Sequence, residues 1–130
     1  MGKNDLKDLV FIPYANVAND NGVSTGSLLV AYDKATGDEV WRDNFGGQCW
    51  SSPVDVYDDN GKGYIVFGTA AFTNRDGVRT GGFVHLIDGR TGERVSSVEL
   101  LGQIEASPVV YDNMVVIGTR GQVVYGIRIT

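Results

Sequence analysis

The chain of 130 residues holds one cysteine, one histidine and three prolines. No apolar run approaches the ~20 residues that a membrane-spanning helix needs. Because Cys49 stands alone, an intrachain disulfide is excluded. Basic residues are scarce as well, 11 against 16 acidic ones, for a net charge of −5. Without a basic stripe, neither nucleic acid nor an anionic membrane surface is an expected partner, and no membrane span is expected. The N-terminus from Met1 to Asp8 is polar and lacks the apolar stretch of a secretory signal. No window carries helical spacing with caps, so long helices are excluded too.

What the sequence has in quantity is glycine, 18 residues, and a repeat. Shifting the chain by 55 positions aligns Ala15, Asn19, Gly22, Val23, Thr25 and Gly26 with Ala70, Asn74, Gly77, Val78, Thr80 and Gly81. The same shift aligns Asp33, Thr36, Gly37 and Val40 with Asp88, Thr91, Gly92 and Val95. It also aligns Gly47, Gln48, Ser52, Pro53 and Val54 with Gly102, Gln103, Ser107, Pro108 and Val109. That makes 15 identities between residues 9–54 and 64–109 without a gap. A period of this length predicts stacked supersecondary units, each burying an apolar face on the next.

The apolar runs are short, β-branched or aromatic, and bounded by Gly, Asn and Asp, which reads as strand throughout. Asp58-Asp59-Asn60-Gly61-Lys62-Gly63 and Asp112-Asn113 separate strand pairs as hairpin turns do. In Asp33-Lys34-Ala35-Thr36-Gly37 and Asp88-Gly89-Arg90-Thr91-Gly92, Asp and Thr can bond nearby backbone N–H groups while glycine supplies a positive φ. The pieces order into a four-strand unit: Ser-Pro-Val (A), Val-x-Gly-Thr (B), an apolar run into Asp (C), and the strand after Thr-Gly (D). The expected fold is all-β, antiparallel four-stranded blades of a partial β-propeller, about two and a half blades. Residues 1–7 read as an extension, 8–50 as a partial blade (B-C-D) with connector, 51–105 as a complete blade with connector, and 106–130 as a partial blade (A-B-C). The first unit lacks an A strand and the third a D strand. Self-association, or completion by a partner or further residues, is therefore expected.

Ala31-Tyr32-Asp33-Lys34-Ala35-Thr36-Gly37-Asp38-Glu39-Val40-Trp41 matches Ala-x-Asp-x-x-Thr-Gly-x-x-x-Trp at every fixed position. It resembles the tryptophan-docking motif of the quinoprotein (PQQ-like) propeller repeat. The second copy keeps Asp88, Thr91 and Gly92, but has Leu86 for the alanine and Ser96 for the tryptophan. The resemblance covers nearly all the chain after about residue 8. It implies that Ala31, Asp33, Thr36, Gly37 and Trp41, with Asp88, Thr91 and Gly92, serve docking between blades. It also implies an extracytoplasmic location: periplasmic, cell-surface or secreted. Quinone-binding members resemble one another in a full ring of blades, an axial tryptophan, adjacent cysteines and calcium. With one cysteine and fewer than three blades, this chain is expected to bind no cofactor.

Two long B–C loops, Ala15–Gly26 and Ala70–Gly81, would emerge on the same face as the D–A connector containing Phe45, Gln48 and Trp50. Asn19, Asp20, Asn21, Asn74, Arg75, Asp76 and Arg79 would then surround that aromatic pair as a partner-binding face. The competing reading has each loop fold on itself, with Asn and Thr satisfying its own backbone. The run Asp58–Gly63 has oxygen donors for calcium but not the loop spacing, and reads as a solvated hairpin tip. No metal site is expected. His85 aligns with Val30 inside a strand and reads as a strand histidine rather than a ligand or base. The tyrosines and valines alternate as strand interiors do and read as core. No nucleophile elbow, phosphate loop or paired carboxylates appear, so no catalytic residues are expected. The function read here is a non-catalytic binding or scaffold module for a protein, peptide or glycan. The alternatives are a fragment of a PQQ-dependent dehydrogenase whose cofactor site lies elsewhere, and a fragment with no function of its own.

Overall fold

Runs of Val, Ile, Phe and Tyr suit a pleated backbone, where successive side chains face opposite sides of a sheet. The computed structural model describes residues 4–18, 24–45, 52–70, 82–100, 107–111, 113–118 and 124–129. A single 3-10 turn at Asn4–Leu6 precedes the strands β1 (Leu9–Ala18), β2 (Ser24–Asp33), β3 (Glu39–Phe45) and β4 (Val54–Tyr57). They are followed by β5 (Gly63–Ala70), β6 (Gly82–Asp88), β7 (Arg94–Leu100), β8 (Val109–Tyr111), β9 (Met114–Gly118) and β10 (Val124–Arg128). Among the described residues all pairings are antiparallel and give three sheets, ordered β1-β2-β3, β4-β5-β6-β7 and β10-β9-β8. The fold is all-β, a partial β-propeller. Pro13 lies in β1, at one side of its sheet, where a missing N–H is tolerated.

Alternation along β5 divides the core in two. Ile65 and Phe67 face the first sheet and join Leu9, Phe11, Leu29, Ala31, Trp41 and Phe45 in one buried cluster. Val66, on the other face, joins Val84, Leu100, Val115 and Ile117 against the third sheet. The second sheet is therefore covered on both sides. A link one period long also joins the second and third units: Ser52 N–H donates to Ser107 Oγ at 2.9 Å.

The β2–β3 register steps from Ala31↔Trp41 to Tyr32↔Glu39 and skips Val40. The β6–β7 register steps from Leu86↔Ser96 to Ile87↔Arg94 and skips Val95. These bulges sit at equivalent places in the repeat, and each re-aims the residue that follows it.

Three expectations change. The first B–C connection is not a twelve-residue loop. The β1–β2 ladder continues through Val17↔Gly26 and Ala18↔Ser24, with register shifts that absorb the irregular sequence while pairing the backbone. Strand β3 likewise runs on to Phe45, opposite Ser27. Finally, the valines and tyrosines are not uniformly core. Val109, Tyr111, Val116 and Val124 lie on the outward side of the third sheet, Tyr111 77% and Val124 73% exposed, because no described element packs there.

Candidate functional site

Two turns with the same internal wiring set the geometry between the first and second sheets. Asp33 Oδ1 accepts from the N–H groups of Ala35 (2.8 Å) and Thr36 (3.1 Å), and Thr36 Oγ1 accepts from Asp38 N–H (3.2 Å). Gly37 closes the turn at φ 77° and donates to the Asp33 carbonyl. In the second copy, Asp88 Oδ1 accepts from Arg90 (3.0 Å) and Thr91 (3.3 Å), Thr91 Oγ1 from Glu93 (3.3 Å), and Gly92 sits at φ 80°. Burial would raise the Asp88 carboxyl, but the Arg90 N–H, the Lys62 ammonium at 3.2 Å and the Thr91 N–H together hold it below its ordinary value. Asp88 therefore stays ionised and keeps the turn closed.

Trp41 meets that second turn. Its indole is 8% exposed and packs on Phe11 at 5.9 Å between ring centroids. Nε1–H donates to the Gly89 carbonyl at 2.9 Å. The ring lies so close over Gly92 that a Cβ there would come within 2.7 Å of Cδ2 and Cε3, so glycine is required for space as well as for its φ. Farther along β3, Arg94 donates to both Asp43 oxygens (2.7 and 3.2 Å) and to the Asn44 carbonyl (2.7 Å). Its guanidinium stands 4.1 Å from the Phe45 ring centroid.

The other end of the sheets leads into the expected loop face. Ala18, Ser24 and Phe45 of the first sheet, and Ala70, Gly82 and Leu100 of the second, are the strand ends there. Asn19, Asp20, Asn21, Gln48, Trp50, Asn74, Arg75, Asp76 and Arg79 lie outside the described residues. Phe45 does not belong to that surface. It is fully buried, edge-on to Phe67 at 5.2 Å and 4.7 Å from the His85 ring, because β3 carries it between the sheets.

His85 is buried beside it. Nδ1 lies 2.7 Å from Ser97 Oγ and Nε2 lies 3.1 Å from Thr69 Oγ1. Both hydroxyls can donate or accept, so a neutral imidazole is satisfied in either tautomer. Burial, then the positive charge of Arg94, lowers its pKa to about 4, with Asp43 opposing. An imidazole so reluctant to take a proton is a weak general base.

At the hairpin tip, Asp58 Oδ1 accepts from the N–H groups of Asn60 and Lys62, both at 2.9 Å, and Gly61 turns the chain at φ 81°. Among the described residues no three His, Cys, Asp or Glu side chains gather as a metal site. No helix among them is long and apolar enough to cross a membrane.

Sequence reasoning missed Leu6. It is fully buried and occupies the space where Gly63 and Gly89 would carry Cβ atoms, 2.3 and 2.7 Å from its side chain. Arg90 Nη1 holds the preceding Asp5 carbonyl at 2.6 Å. The signal was a pair of glycines, Gly63 and Gly89, facing each other across the strand ends. The Arg94–Asp43 pair was missed for a different reason: it spans 51 positions, not the 55-residue period.

Comparison with known proteins follows the same architecture. Residues 24–130 match the family described as outer membrane protein assembly factor BamB. Among solved structures, the chain is similar to BamB from Moraxella catarrhalis at 20% identity and a TM-score of 0.56. The match covers 92% of this chain and 36% of that one. No curated protein matches the sequence.

Proposed function

The chain belongs to the outer membrane protein assembly factor BamB family of PQQ-like β-propellers, and from that premise we propose that it is a non-catalytic scaffold that binds a protein, peptide or glycan partner through its loop face. The observation that carries this reading is the Trp41 junction. An indole held by a carbonyl, packed on a glycine and backed by the Arg94–Asp43 pair makes two sheets into one rigid platform. Loops on a rigid platform are where binding residues concentrate. Ala31, Asp33, Thr36 and Gly37, with Asp88, Thr91 and Gly92, serve the docking of Trp41 in this reading. The family description, an assembly factor of the outer membrane, supports protein binding and an extracytoplasmic location. The exposed valines and Tyr111 of the third sheet support self-association or completion by a further blade.

The test replaces residues 19–23 and 71–81 with Asn-Gly hairpins and follows crosslinking to cell-envelope proteins. The replacements should leave Trp41 fluorescence and thermal unfolding intact while the crosslinked partner disappears. Unchanged crosslinking would end the loop-face reading. Titration with PQQ and calcium should leave the quinone absorption unshifted; a saturable shift would favour the dehydrogenase reading instead.

A further inference from the structure

The junction between the second and third sheets repeats the first one with its central piece removed. Ser96 stands one period after Trp41, on the equivalent strand and beside the equivalent bulge. The receiving side is also equivalent. The registers Val54↔Val66↔Leu86 and Val109↔Val116↔Gly126 place Asn113 and Ile129 where the second sheet has Gly63 and Gly89. A shared backbone bond agrees: Gly89 donates to the Gly63 carbonyl at 3.1 Å, and Ile129 donates to the Asn113 carbonyl at 2.7 Å.

At the first junction Leu6 fills the space above the two glycines, while Trp41 packs against Gly92 and bonds the Gly89 carbonyl. At the second, Asn113 and Ile129 carry side chains where the second sheet has glycines, and both line a cavity. Two adjoining cavities of about 670 Å³ and 160 Å³ lie at this junction, sharing Leu86, Val95 and Ile129 as walls. Tyr64 lines the larger and Ser96 the smaller. A cleft of this size, with apolar walls beside polar ones that include Asp58, Asp59 and Asn113, is large enough to receive a bound group.

We propose that this cleft docks a tryptophan side chain from a partner polypeptide, in the place of the indole that Ser96 does not supply. The first junction specifies the chemistry. There an indole packs against Gly92 and gives its N–H to the carbonyl of Gly89, whose counterpart in register is the carbonyl of Ile129. Leu86, Val95 and Tyr64 supply apolar walls for the ring. An aliphatic side chain would leave the carbonyl without its donor, and an anionic one would also meet Asp58 and Asp59 in the lining of the larger cavity. The site is separate from the loop face, so its test does not depend on the loops.

The probe is N-acetyl-L-tryptophanamide, titrated into the intact chain and followed by amide chemical shifts. Saturable shifts are expected at Tyr64, Leu86, Asn113 and Ile129, with N-acetyl-L-leucinamide giving none. Ser96→Trp should supply the indole internally and abolish the shifts, whereas Ser96→Ala should keep them. Val95 is 54% exposed, so Val95→Glu tests the wall without emptying the core and should weaken binding about tenfold or more. Shifts that never saturate, or that persist in Ser96→Trp or Val95→Glu, would overturn the proposal. So would concentration-dependent sedimentation of the wild type that Ser96→Trp removes, which would put a second copy of the chain in the cleft.

Discussion

The first and second junctions are built on one 55-residue plan and differ in the side chains that stand at a few positions of it. Between the first two sheets, Trp41, Phe45 and Leu6 make a closed, aromatic contact with a hydrogen bond at its centre. Between the second and third, Ser96 and Leu100 take the places of Trp41 and Phe45, and the contact is aliphatic and open. Backbone plan and turn wiring survive that exchange. Rigidity in this architecture is therefore a property of each junction separately, set by side-chain volume rather than by the strand pattern.

Making the first junction resemble the second is the most damaging test. Trp41→Ala should cost about 3–5 kcal/mol, the range for removing a large buried aromatic, read as a lower urea midpoint. A loss below about 1 kcal/mol would mean that the junction does not depend on the indole.

The next effect comes from acid. His85 has a folded pKa of about 4 against 6.5 when free, so the unfolded chain binds the proton first. Its contribution is complete above about pH 6.5 and is lost as pH falls toward 4, to a total of about 3 kcal/mol. His85→Gln should flatten that part of the stability profile. An equally steep profile in the variant would assign the acid loss to other groups.

Arg94→Ala should have the smallest effect, about 1 kcal/mol, because the pair with Asp43 is partly exposed and screened. That loss should shrink further in high salt. A salt-independent loss would mean that packing on Phe45 outweighs the ion pair.

Much of the fold was legible because its cause is local. The Asp-x-x-Thr-Gly turns announce their own hydrogen bonds, and alternation marks the two faces of each strand. The packing of Trp41 was implied by the resemblance of residues 31–41 to the tryptophan-docking motif. What could not be read depends on distant partners. Leu6 sits in a polar segment, and only the side-chain-free surfaces of Gly63 and Gly89 make room for it. Phe45 was assigned to the loop face because the length of β3 depends on pairing with β2, which no single strand declares. The first B–C connection was misjudged for the same reason: irregular pairing through register shifts has no two-residue alternation to betray it.

The skipped residues Val40 and Val95 carry a consequence beyond aiming the residues after them. Strands β3 and β7 each end a sheet, so each leaves a row of backbone groups that a foreign strand could zip onto. A bulge interrupts that row and twists it, and an intruding strand loses its register there. The rim is thereby kept from seeding aggregates even though Val40 and Val95 are half exposed. Since both copies of the unit carry the same interruption, the protection was duplicated along with the fold.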